Sequence, residues 1–106
     1  MKFNLKYFAI LCLAASIVTP AFAQTGGADI YKTKCAMCHG ADGLSNTPAG
    51  KAMKAMALND PSLIKASDAD LFGFIKDGKE KMPAYKDRLT DDQIKDVVLF
   101  IRTLQK

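Results

Sequence analysis

Two thiols and an imidazole stand together at Cys35-Ala36-Met37-Cys38-His39. Sulfurs three positions apart, with an imidazole next, form the C-x-x-C-H pattern of covalent haem attachment. The spacing has a chemical basis. Each vinyl group on one porphyrin edge must meet its own sulfur, and two intervening residues set that separation. The histidine that follows then falls beneath the iron as its proximal ligand. Competing readings of the pair are weaker. A disulfide between Cys35 and Cys38 closes a very small loop and gains little entropy. A thioredoxin-like redox pair needs a βαβ context. Structural zinc takes four ligands, usually in two separated pairs, and His39 is the chain's single histidine.

An iron held this way takes a soft thioether on its other face. Four methionines lie beyond the first residues: Met37, Met53, Met56 and Met82. Met37 sits inside the attachment motif, on the wrong side of the ring. Met53 and Met56 are three apart on a weak helix, where methionine commonly fills apolar gaps. Met82 follows the helix-ending Gly78 and is held by Pro83, so it is the expected distal ligand. With His39 and Met82 both bound, iron has no open position for oxygen, peroxide or nitrite, which leaves one-electron exchange, a shuttle between respiratory or photosynthetic complexes or periplasmic redox enzymes. Two alternatives stay open: a haem peroxidase or gas sensor with a labile Met82 bond, and a dedicated haem subunit of a periplasmic dehydrogenase.

These residues need elements to position them. Ala28, Tyr31 and Cys35 recur at spacings of three and four, which predicts a short helix from about Ala28 to Cys35 or a little beyond. Gly40 to Pro48 reads as a loop, and Ala49 to Leu58 as a weak helix ending before Asn59-Asp60-Pro61. Ser67 with Asp70 caps a helix carrying Leu71, Phe72 and Ile75, closed by Gly78 in a left-handed conformation. Thr90-Asp91-Asp92-Gln93 is a capping box that opens the last helix. Ile94, Val97, Val98, Ile101 and Leu104 form its apolar stripe, flanked by Phe100. No stretch alternates as a strand would. The expected fold class is all-α, three to five short helices wrapped around one haem.

The first residues read as an export signal. Lys2 and Lys6 make a basic start, an apolar run follows from Ala9 to Val18, and Ala21-Phe22-Ala23 ends it as small-x-small. That order predicts cleavage after Ala23, with residues 24–106 as the mature domain and the periplasm as its destination. An uncleaved anchor is the rival reading, but the run is short for a span and Pro20 interrupts it. Cleavage removes one of three cysteines, and loss of Lys2 and Lys6 lowers the formal charge from +4 to +2. A domain this small usually needs a staple, which a covalent haem supplies.

From about Gly27 to Leu104 the chain resembles the class I cytochromes c of the small bacterial type. The resemblance rests on Cys35-Ala36-Met37-Cys38-His39-Gly40, on Lys81-Met82-Pro83-Ala84-Tyr85 and on the closing helix. It implies one covalent haem c, held by Cys35 and Cys38, with His39 and Met82 as axial ligands and no enzymatic activity. It also implies that the first and last helices cross, through Gly27 and Tyr31 on one and Val97, Phe100 and Ile101 on the other. Pro48 resembles the residue whose carbonyl accepts the N–H of the proximal His39, the alternative being an ordinary loop proline. Tyr85 is placed to bond a propionate or the methionine sulfur, or simply to pack. The absence of tryptophan leaves the propionate partners undetermined.

Lysines surround the motifs: Lys34, Lys51 and Lys54, then Lys79, Lys81 and Lys86. A basic ring of this kind would steer an acidic redox protein toward a monomeric carrier. The plainer reading is a solvated surface, since Asp77, Glu80 and Asp87 are interleaved. A mature charge of +2 gives no footing for nucleic acid, and no stable membrane insertion is expected once the signal is removed.

Overall fold

In the computed structural model, residues 26–106 are described. The export signal and its cleavage after Ala23 lie outside them. Six helical segments occur among the described residues, one more than the upper end of the expected range. They are α1 (Gly27–Lys34), α2 (Ala36–His39), α3 (Pro48–Ala52), α4 (Pro61–Lys65), α5 (Asp68–Asp77) and α6 (Asp91–Leu104). An isolated bridge between Lys79 and Met82 is the one extended pairing among these residues.

The long helices start where their side chains can satisfy orphan N–H groups. Ser67 Oγ accepts from the Asp70 N–H at 3.0 Å, and an Asp70 carboxylate oxygen accepts from the Ser67 N–H at 3.3 Å. Thr90 and Gln93 repeat the arrangement at the head of α6. Acidic residues in both first turns complement the helix dipole. Along α6 the apolar stripe turns inward, with Ile94, Val97, Val98 and Ile101 buried. Each such side chain contributes roughly 1.5–3 kcal/mol by leaving water.

Helix α1 crosses α6 at Gly27. A Cβ there would stand 2.1 Å from the Asp96 carbonyl oxygen, so only glycine lets the two backbones meet. One turn along, Tyr31 packs its ring on Phe100, with centroids 5.1 Å apart. The core then runs from Ile30 and Tyr31 through the α6 stripe to Leu71 and Ile75 on α5, with Leu58 and Leu89 from loops.

Two of the extra segments were hidden by their punctuation. Helix α2 continues α1 after a break at Cys35, whose N–H still reaches the Tyr31 carbonyl at 2.8 Å. Helix α4 was read as part of a break, yet Asp60 caps it by accepting from the Ser62 N–H, and Pro61 occupies its first position. Helix α3 is shorter than the expected 49–58 run. It stops at Ala52, where Lys54 takes φ 52° and the Ala55 N–H returns to the Gly50 carbonyl at 2.8 Å. That is a Schellman-type ending with lysine in the place usually held by glycine. At Gly78 the backbone has φ 79° and ψ 165°, a glycine region different from the left-handed helical one expected.

At its C-terminal end α6 holds α4 in place. Arg102 donates to the Leu63 and Ala66 carbonyls and ion-pairs with Asp68 at 2.8 Å. Carbonyls at the end of α4 thereby gain partners that their own helix cannot supply. Among the described residues no helix is long and apolar enough to cross a membrane.

Candidate haem site

A cavity of about 320 Å³ opens between α1–α2 on one side and the segment after α5 on the other. That volume falls in the range of about 300–1,000 Å³ typical of ligand pockets. Cys35, Cys38, His39 and Met82 all line it. Its remaining wall is mostly apolar, with Leu58, Leu71, Phe74, Ile75 and Ile101 prominent. Met53 and Met56 also line the cavity, both substantially exposed, while Met37 faces solvent at 75% exposure. Lys34, Lys54, Lys79 and Lys81 lie on its lining, and Lys51 and Lys86 do not.

The attachment residues are carried by the end of the α1–α2 run. The His39 N–H donates to the Cys35 carbonyl at 3.0 Å, and Gly40 stops the run at φ 80°. Thr47, the N-cap of α3, donates its hydroxyl to the Met37 carbonyl at 2.6 Å, so α3 braces α2 directly. Burial pushes the Cys35 thiol up to about 11, and the thiol stays protonated at neutral pH. Cys35 and Cys38 are both free, not joined as a disulfide. Among the described residues no group of three or more His, Cys, Asp or Glu side chains is placed to hold a metal.

The carbonyl beside His39 is a correction to the sequence reading. Nδ1 of His39 lies 3.1 Å from the Met56 carbonyl oxygen, so Met56 takes the part expected of Pro48. Pro48 instead opens α3, where its missing N–H costs nothing. The reason is the early end of α3. Past Ala52 the chain leaves the helix, and the Met56 carbonyl becomes free to accept from outside. Ser45, a buried residue with φ 57°, donates its hydroxyl to the same oxygen at 2.7 Å. Burial lowers the His39 pKa and favours a neutral ring; the bond to Met56 partly offsets this while fixing how the ring is aimed.

Tyr85 lines the same cavity. Its hydroxyl donates to the Lys34 carbonyl at 3.1 Å. Sequence reasoning missed Met56 because a backbone carbonyl leaves no trace in residue type, and Ser45 because its hydroxyl meets that carbonyl only once the chain has folded. Thr47 was findable, since a threonine immediately before a proline at the head of a helix is a common cap.

A thiol pair, an imidazole and a thioether facing one apolar cavity fit a covalently held haem, and comparisons with known proteins agree. The family described as cytochrome c oxidase, cbb3-type, subunit III matches residues 22–101. Cytochrome c6 of Nostoc sp. is 31% identical, over 91% of this chain and 90% of that one. Cytochrome c6 of Leptolyngbya boryana is 37% identical, over 76% and 91% respectively. Among solved structures, the c-type cytochrome KustC0563 superposes with a TM-score of 0.70 at 31% identity, covering 76% of this chain and 99% of that chain. XoxG from Methylobacterium extorquens, another c-type cytochrome, gives 0.60 at 30% identity, covering 74% of this chain and 48% of that one. The chain belongs to the small monohaem class I cytochromes c. It carries one covalently bound haem c and is an electron carrier, not an enzyme.

Proposed function

We propose that Cys35 and Cys38 hold the haem through two thioether bonds and that His39 and Met82 are its axial iron ligands. The chain then shuttles single electrons between redox proteins of the periplasm. One observation carries this reading: Cys35, Cys38, His39 and Met82, spread over 48 positions of sequence, line the same cavity. When bound, the haem supplies a one-electron Fe(III)/Fe(II) couple.

The chain's own residues do the rest. With its proton on Nδ1 donated to Met56, His39 presents the Nε2 lone pair as a ligand. The apolar wall keeps water from that side of the cavity and, with a thioether ligand, favours the reduced state. Helices braced at Gly27 and Thr47 hold these groups in one geometry, so little rearrangement opposes electron transfer. Lys34, Lys54, Lys79 and Lys81 on the cavity lining favour an acidic docking surface on the partner. Export rests on the basic, apolar and small-x-small order of residues 1–23, with removal after Ala23.

Visible spectroscopy of the haem-loaded protein tests the ligand set. The ferric form should show the weak sulfur-to-iron band near the red end, and the ferrous form should resist carbon monoxide at neutral pH. Met82→Ala should abolish the band and admit carbon monoxide. Survival of the band in Met82→Ala would place the distal sulfur elsewhere, at Met53 or Met56.

A further inference from the structure

Met82 rides on a segment that doubles back along α5. The Tyr85 N–H donates to the Ile75 carbonyl at 3.0 Å, and the Lys86 N–H to the Lys76 carbonyl at 3.1 Å. Between these anchors, Lys79 and Met82 exchange backbone hydrogen bonds of 3.1 and 2.9 Å, which close a two-residue turn at Glu80-Lys81. Glu80 is held there at φ 54°, a conformation that side chains adopt at some cost. Gly78 lies so close beneath the turn that an added Cβ would stand 2.8 Å from the Met82 carbonyl oxygen. Residues 78–86 therefore form a strap that is braced internally and fixed to α5.

The opposite wall, with Cys35, Cys38 and His39, belongs to α1 and α2. Nothing in the α5 anchoring fixes how far the strap stands from that wall. Among the described residues, one hydrogen bond joins residues 78–86 to residues 26–40. It is the Tyr85 hydroxyl donating to the Lys34 carbonyl at 3.1 Å, a link across 51 positions of sequence. Lys34 is the last residue of α1 and directly precedes Cys35, and its carbonyl is among those a helix end leaves without an internal partner. The bond thus ties the carrier of Met82 to the residue next to the first attachment thiol.

We propose that Tyr85 is a positioning residue whose hydroxyl sets how readily Met82 gives way to an incoming ligand. Without that tie, the strap swings from α1 while its own turn stays closed, and the cavity opens on the Met82 side. The inference rests on Met82 being the distal ligand, and its test separates the two claims.

The test uses the full haem-loaded protein in three forms: unaltered, Tyr85→Phe, and Arg102→Gln as a control. Phenylalanine keeps the ring and its contact with the Arg88 guanidinium, 5.8 Å from the centroid, and removes only the hydroxyl. Arg102 lies off the cavity lining, and its loss loosens α4 from α6. Each ferric protein is titrated with imidazole while the red sulfur-to-iron band is followed, and global stability is measured separately by denaturant. Tyr85→Phe should bind imidazole about fivefold more tightly, the effect of losing one partly exposed hydrogen bond. Arg102→Gln should lose global stability but keep its imidazole affinity within about twofold, because the sites are independent. Equal affinity in Tyr85→Phe and the unaltered protein overturns the proposal. Equal gains in both variants also overturn it, since general loosening would then explain the change. If the unaltered protein lacks the band, the Met82 assignment fails and the inference falls with it; a band with unchanged affinities sinks the inference alone.

Discussion

Tyr31 is 2% exposed yet ends in a hydroxyl, which donates to the Gly40 carbonyl at 2.6 Å. Gly40 directly follows His39, so this bond closes the attachment turn back onto α1. Burial pushes the Tyr31 pKa up to about 12 from its ordinary 10.0, with the negative charge of Asp42 adding to the rise. Because the folded value lies above the unfolded one, the neutral phenol is favoured by folding. That stabilisation is complete below pH 10 and is lost as pH climbs toward about 12. Tyr31→Phe should cost about 1 kcal/mol at neutral pH, by removing one of the two hydrogen bonds on the Gly40 carbonyl, which keeps the Gly43 N–H at 3.1 Å. The variant should also lose less stability than the unaltered protein across that alkaline window. Denaturant titrations at several pH values check both outcomes; parallel pH curves for the two proteins would remove Tyr31 from the account.

Among the elements, the α1–α6 crossing carries most of the fold's specificity. Gly27 meets the Asp96 carbonyl carbon and oxygen, which are backbone atoms that cannot rotate aside as a side chain would. Gly27→Ala should therefore destabilise by about 2–3 kcal/mol, an overpacking cost read from the denaturant midpoint. Gly73 in α5 provides the contrast, since a Cβ there meets nothing within 4 Å. Gly73→Ala should be neutral or stabilising by about 0.5–1 kcal/mol through helix propensity. A similar loss at both positions would mean that the crossing does not require close backbone approach. The short segments α2, α3 and α4 are too brief to persist alone. They hold their shape through caps and through the long-range partners Thr47 and Arg102.

For the whole molecule, charge is distributed unevenly around the cavity. Lys34, Lys54, Lys79 and Lys81 line it, against Glu80 as the single acid on the lining. Lys79 is held over the Phe74 ring, 4.3 Å from its centroid, so part of this charge is fixed in direction. Electron exchange with an acidic redox protein should slow by about tenfold between low and high salt, as screening removes the steering field. Stopped-flow rates at several ionic strengths check this, and a flat profile would leave the lysines as solvated surface.

The residues proposed to hold the haem stand out because their chemistry is written in side-chain type and spacing. Cys35, Cys38 and His39 are four, one and no positions from a fixed motif end, and Met82 is marked by Pro83 and by its place after a helix-ending glycine. Capping boxes at Ser67 and Thr90 were legible for the same reason, as was the stripe on α6. What only the tertiary structure decided was the polar frame around those residues. Met56 serves His39 through a backbone carbonyl, which any residue type possesses, and it is free to do so because α3 ends early at Ala52. Tyr85 reaches Lys34 across 51 positions, a meeting that no local pattern encodes. Side-chain chemistry is a property of the sequence, whereas a carbonyl's partner depends on which backbones the packing brings together.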